Sequence, residues 1–277
     1  KGPGSRAASP LGGHRPSVPA RSCARARERR GVMLPIHIES ERPSFAACTS
    51  FSEYMRRMVH YAQMDMSYTF AQMIYLCISP RKVYQLTSYR KQTKNQWARD
   101  DPAFVVVLVF FLCVAAVSYG LALQLQGSAV VRVIGLFVGV HFGLFGLAAA
   151  SCAWFVSNKY LRAQSFHGVE QRMEWMYAFD IHCNSFFPLF LVLYVVHYFL
   201  LPFLLQPTLL AAVLGNALYA GAFCYYLFIT SLGYSMLPFL ERTEVFLYPM
   251  APVVLFVIVL TVLRVNLTLL SINMFGV

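Results

Sequence analysis

The chain has 277 residues, 58% of them hydrophobic and only 13% charged, with a formal net charge of +11 and a mean hydropathy of +0.55. A soluble domain carries roughly 25% charged and 45–50% apolar residues, so this balance excludes an ordinary soluble fold and favours a membrane protein. The charge is lopsided: 17 of the 23 Lys and Arg residues precede Pro102.

Taken in order, residues 1–50 read as a basic, disordered tail. The first 32 residues contribute +7, are rich in Gly, Pro, Ser, Ala and Arg, and lack the apolar core of a signal peptide. They are expected to lie upstream of a natural start at Met33. Residues 51–101 are expected to form cytosolic amphipathic helices that lie in the membrane interface or pack on the ends of the bundle. Phe51, Tyr54, Met58 and Tyr61 recur at helical spacing, with Arg56, Arg57 and His60 opposite. A second stripe runs Met66, Phe70, Met73, Ile74 and Cys77, with Asp65, Gln72 and Ser79 on the polar side. Ser79-Pro80 should end that helix.

Residues 102–270 hold five apolar runs, about Ala103–Leu125, Val133–Val156, Phe179–Leu205, Thr208–Leu232 and Tyr248–Val265. Each is long enough for about 30 Å of hydrocarbon, and backbone without water must satisfy itself as helix. The expected fold class is therefore all-α: a polytopic bundle of five transmembrane helices preceded by interfacial helices, with residues 271–277 as a lumenal tail. Placing the N-terminus in the cytosol leaves only Arg132 and Arg264 on the other side, as the positive-inside rule asks. The C-terminus is then lumenal. The sequon Asn266-Leu267-Thr268 sits so close to a span that the glycosyl transferase should not reach it.

Within the spans, Gly135, Gly139 and Gly143 form a double GxxxG, expected to be an intramolecular packing seam or a dimer face. Pro188 and Pro202 are candidate helix breaks, and Trp175, Tyr177 and Tyr248 are candidate aromatic-belt residues. The intramembrane polar cluster is Glu174, Asp180, His182 and Asn184. Polar residues in spans are functional hypotheses, although His182 points away from the face that Asp180 and Asn184 share. The alternative is a set of polar ties between helix ends.

Asp180-Ile181-His182-Cys183 invites comparison with the Asp-His-His-Cys signature of palmitoyltransferases, but the zinc-holding Cys/His segment that chemistry needs is missing. The seven cysteines form no CxxC pair, so neither a metal nor a disulfide framework is indicated. HExxH, GxSxG and phosphate-binding loops are also absent from the sequence. Five spans do not divide into the equal repeats of many transporters. No catalytic residue and no cofactor is expected; a transporter or a membrane enzyme acting through Glu174, Asp180 and His182 remain the alternatives.

The stretch Tyr89–Phe104, YRKQTKNQWARDDPAF, resembles the signature of the uncoordinated-fifty family, also called uncoordinated-like Golgi membrane proteins. WFVSNKYL, EWMYAFDIHCNSFFPL, GYSMLPFL and LYPMAP follow in the family's order from Tyr61 to Val265, and Met33-Leu34-Pro35 resembles its N-terminus. The resemblance implies a five-span protein of Golgi and early secretory membranes. It implies a link to surface delivery of nicotinic acetylcholine receptors and to large exchange factors for Arf GTPases. RNA binding and residence in the inner nuclear membrane are also attributed to the family. The expected partner- or lipid-binding residues are Tyr89, Arg90, Lys91, Lys94, Trp97, Arg99, Asp100 and Asp101. The basic ones would meet acidic membrane lipids at about 1 kcal/mol each, Trp97 would anchor at the interface, and the Asp pair would face a protein. The bland alternative is that the whole segment is a positive-inside anchor.

Overall fold

The computed structural model of the chain describes residues 65–85, 97–99, 101–163 and 171–275. The basic tail and the first amphipathic stripe, Phe51 to Tyr61, lie outside the described residues. Among those described, helix α1 (Met66–Ile78) ends at Ser79, as the Pro80 that follows requires, and residues 80–85 are helical again. Five long helices come next: α2 (Ala103–Ala122), α3 (Gly127–Tyr160), α4 (Trp175–Leu204), α5 (Leu209–Ser235) and Thr243–Val262. The last opens with a 3-10 turn over Thr243–Leu247 and continues as α6 (Met250–Val262). A short α7 (Leu267–Asn273) follows.

Each of the five long helices is long and apolar enough to cross a membrane, so the protein is a multi-pass, all-α membrane protein. No strand forms among the described residues. The one ladder-like contact is the isolated bridge of Arg162 with Leu240, which ties the loop after α3 to the loop after α5.

Helix α4 is the axis of the bundle. Every residue from Asp180 to Phe190 is buried, because α1, α2, α3 and α5 all pack against it. By contrast, only Val257 of α6 is buried. Lipid tails are as apolar as Leu or Val, so there is no hydrophobic drive to bury such a helix more fully.

Pro188 and Pro202 do not break α4. Pro188 cannot donate to the Asn184 carbonyl, and the helix absorbs the lost bond: it passes into π-type hydrogen bonding over Leu191–Val196 and resumes at His197. A second π-type stretch, Gly135–Leu144, interrupts α3.

Among the described residues, the seam expected at Gly135, Gly139 and Gly143 is not a place where another helix closes on the glycines. A Cβ at Gly135 or Gly139 would touch nothing within 4 Å, and at Gly143 it would meet only the Val138 carbonyl of its own helix, 3.1 Å away. The close approach occurs at Gly146, where a Cβ would collide with the His182 ring, and at Gly233, where it would come within 2.9 Å of Ile181. The π-type stretch alters the residue-to-face relation that the four-residue spacing assumes.

The end of the chain differs too. Of the residues expected as a lumenal tail, the described ones, 271–275, fold back into the bundle, with Ile272 and Phe275 in its core. Asn266 caps α7, donates to the Leu204 carbonyl at 2.7 Å and is itself buried, which seals the sequon inside the protein. Asn216 of α5 holds the preceding turn: it donates to the Thr261 hydroxyl at 3.0 Å and the Val265 carbonyl at 2.9 Å, and accepts from Leu267 N–H at 3.0 Å.

These placements make opposite demands on two glycines of one helix. Gly146→Ala should destabilise the purified, detergent-solubilised protein by about 1–3 kcal/mol through overpacking against His182. Gly139→Ala should be neutral or stabilising by up to about 1 kcal/mol. Thermal unfolding of both variants checks this; an equal loss in both would mean the glycine stripe is packed after all.

Candidate functional site

Asp65, Gln72, Arg99, Asp101, Asp180 and Asn184 meet at the end of the bundle that carries α1. Asp65 caps α1 by accepting from Tyr68 N–H at 3.0 Å, and its own N–H donates to Asp101 at 2.9 Å. The other oxygen of Asp101 accepts from Ala103 N–H at 2.9 Å, at the first residue of α2. One carboxylate thus links two helix N-termini, where a negative charge also complements the exposed N–H groups. Asp101 is engaged in this link rather than reserved for a partner.

Arg99 and Trp97 are likewise turned inward. The Arg99 guanidinium lies 3.3 Å from the Asp180 carboxylate with both side chains under a tenth exposed. Arg99 also donates its backbone N–H to Asp180 at 2.5 Å and a guanidinium N–H to the Asp180 carbonyl at 3.4 Å, and it stacks over Phe104. The Trp97 ring is 6% exposed and meets Tyr177 and Phe239 at 6.0 and 6.3 Å. A segment that delivers a guanidinium to a buried carboxylate brings its neighbouring indole into the core with it. The expectation that Trp97 anchors in lipid and Arg99 meets a partner is therefore corrected. Tyr89, Arg90, Lys91, Lys94 and Asp100 lie outside the described residues.

The three polar residues of α4 reach three different elements. Asp180 takes Arg99, and Asn184 accepts from Gln72 of α1 at 3.3 Å. His182 pairs through Nδ1 with the Tyr226 hydroxyl of α5 at 2.9 Å. Glu174 stands at the N-cap of α4, where its carbonyl accepts from Tyr177 N–H at 3.2 Å. Tyr177 is a core residue rather than a belt residue, its hydroxyl donating to the Gly233 carbonyl at 2.9 Å. Burial raises the Tyr84 phenol above its ordinary value, with Asn184 and Arg99 acting the other way. Among the described residues no three His, Cys, Asp or Glu side chains gather as a metal-binding set.

The Gln72–Asn184 bond decides how α1 lies. The sequence pattern puts Gln72 on a polar stripe facing water; instead Gln72, with Thr69, Met73 and Leu76, packs on the bundle, while Asp65 stays exposed. Phe70, Ile74 and Ile78 are left on the outside, Ile78 at 76% exposure. Arg81 and Lys82, both exposed, follow directly. An apolar helix face rimmed by basic residues suits a membrane interface or a partner helix. Four-residue spacing marks the two faces; which one turns inward depends on a hydrogen bond to a residue 112 positions away.

The motif WFVSNKYL has a structural task as well. Trp154 and Asn158 both donate to the Met173 carbonyl, at 3.0 and 3.1 Å, and Asn158 accepts from Met173 N–H at 2.9 Å. This clasps the chain as it re-enters at α4.

Comparison with known proteins places this architecture in context. A family model described as the UNC-50 family matches residues 54–275. The chain is 53% identical over 225 residues to "Protein unc-50 homolog" of Dictyostelium discoideum, covering 80% of this chain and 86% of that protein. It is 41% identical over 204 residues to the human protein of the same name, covering 73% and 78%. With "Protein unc-50 homolog B" of Xenopus laevis the identity is 42% over 217 residues, covering 78% and 83%. No solved structure matches the chain.

Removing one partner of the Arg99–Asp180 pair strands a buried charge. Arg99→Met or Asp180→Leu alone should destabilise the protein by about 3–5 kcal/mol, and the double variant should recover most of that loss. Thermal unfolding and protein abundance measure both; a double variant as unstable as the sum of the singles would show that the pair is not the source of the effect.

Proposed function

The chain belongs to the UNC-50 family, and from that premise we propose that it acts in Golgi and early secretory membranes as a non-catalytic recruiting platform. In this reading the α1 end faces the cytosol and the α7 end the lumen. The platform gathers a large exchange factor for Arf GTPases and so promotes vesicle sorting and surface delivery of receptor cargo such as nicotinic acetylcholine receptors. The orientation rests on the positive-inside asymmetry, with 17 of 23 Lys and Arg ahead of Pro102.

The observation that carries the proposal is the outward apolar face of α1. A helix fastened by Gln72 and Asp65 presents Phe70, Ile74 and Ile78 next to Arg81 and Lys82. Arg90, Lys91 and Lys94 add to the same basic stretch in sequence. Basic residues would hold this end against acidic headgroups at about 1 kcal/mol each. The apolar stripe would then supply the spacing by which a partner helix is read. A catalytic role draws no support from Asp180, His182 and Asn184, since each is bonded to a different helix or segment of the bundle.

The test is capture of an Arf exchange factor by the detergent-solubilised full chain. Beside the wild type stand Ile74→Asp with Ile78→Asp, and Arg90, Lys91 and Lys94 changed to Ala. Loss of capture in the first variant, at equal abundance and Golgi residence, supports recruitment by α1. Retention by both variants would reduce this end to a membrane anchor, and no capture by the wild type would sink the adaptor reading.

A further inference from the structure

The recruiting role leaves the other half of the bundle unused. There, toward α7, a cavity of about 370 Å³ opens among α2, α3, α4, α5 and α7. That falls within the roughly 300–1,000 Å³ of small-molecule sites, and it is more than twice the ~150 Å³ that suffices for benzene.

Three observations bear on its occupant. First, the two π-type stretches, Gly135–Leu144 and Leu191–Val196, both line it, through Phe137, Val140 and His141 and through Leu193 and Tyr194. Such stretches are commonly found at functional sites. Second, one ring nitrogen of the lining stands without a hydrogen-bond partner among the described residues. His141 Nδ1 pairs with the Tyr194 hydroxyl at 2.7 Å, while its Nε2 has no partner among the described residues. The other polar groups of the lining are already engaged. His197 spends both nitrogens on Tyr119 and Thr268, and the Tyr219 hydroxyl donates to Ser271. Third, Val140 and Phe145 of the rim are 45% and 40% exposed on a membrane-spanning helix, so the mouth opens sideways. Ser271 and Phe275 of the folded-back end line the side toward α7.

We propose that this cavity binds a neutral, hydroxyl-bearing membrane lipid, with its apolar body against Phe137, Phe186 and Phe223 and its hydroxyl on His141 Nε2. A charged head does not fit, because among the described residues no Asp, Glu, Lys or Arg lines the cavity and an unpaired charge is not tolerated in so apolar a setting. A bare acyl chain fits the walls but leaves the imidazole nitrogen unmet. The Tyr194 hydroxyl can donate to Nδ1 or accept from it, so Nε2 is a donor in one tautomer and an acceptor in the other. A hydroxyl answers both. Sterols and diacylglycerols share this chemistry and differ in the shape of the apolar body. The inference does not depend on the recruiting role.

The experiment uses the purified full chain in lipid nanodiscs with three photoreactive probes: a sterol, a diacylglycerol and a phosphatidylcholine. The expected result is saturable labelling by the sterol or the diacylglycerol, competed by the same unlabelled lipid and mapped to cavity residues. Whichever of the two labels identifies the source. Val140→Trp should abolish it by filling the mouth. His141→Phe should weaken it roughly three- to tenfold, the loss of one hydrogen bond, while His141→Gln, which keeps a donor and an acceptor, should largely retain it. Thermal unfolding of each variant verifies the fold. Equal, unsaturable labelling by phosphatidylcholine, or labelling unchanged in Val140→Trp, would overturn the site. His141→Phe binding as well as the wild type would overturn the hydroxyl assignment.

Discussion

The buried pair of Arg99 and Asp180 is the constraint on which this end of the molecule depends. A carboxylate inside a packed helix axis is costly unless it is paired and hydrogen-bonded. Asp180 meets that demand with a guanidinium and a backbone N–H from the same residue. The consequence is mechanical: the chain just before α2 must lie across the end of α4. That fixes Trp97 in the core and sets Asp101 at the start of α2. Asp101 in turn receives the N–H of Asp65 and so positions α1. The most distinctive stretch of the sequence is, in its described part, a fastening.

The same logic recurs through the spans. In a membrane, apolar surface does not drive helices together, so polar contacts and close packing determine which helices meet. His182 with Tyr226, His141 with Tyr194 and Asn216 with the α6–α7 turn each bind one helix to another. Gly146 and Gly233 allow the axis helix to be approached closely. Together these explain why α4 is enclosed while α6 stays at the edge with little more than Val257 buried.

The two ends of the bundle serve different ends in this picture. At the α1 end, Gln72, Asp101, Asp180 and Asn184 are spent on internal bonds, and an apolar helix face is left over. At the other end, the departure of α3 and α4 from regular α-helix coincides with a cavity that retains a single open imidazole nitrogen. A helix face outside and a cavity inside are distinct kinds of surface.

Hydropathy alone determined the number of spans, their approximate limits and the all-helical class, because a lipid environment leaves a backbone no other way to satisfy itself. The charge asymmetry pointed to an orientation for a related reason: it is a property of loops, readable without contacts. The end of α1 at Ser79 was legible because proline acts locally. Which way α1 faces, whether Trp97 is outside or inside, which glycines touch a neighbour, and that Phe275 returns to the core were decided only by tertiary structure. Each of these depends on a contact between residues far apart in the chain, such as Gln72 with Asn184, or on a change of helical pitch that shifts residues off their expected face. A periodicity describes one helix at a time, and these choices belong to pairs of helices.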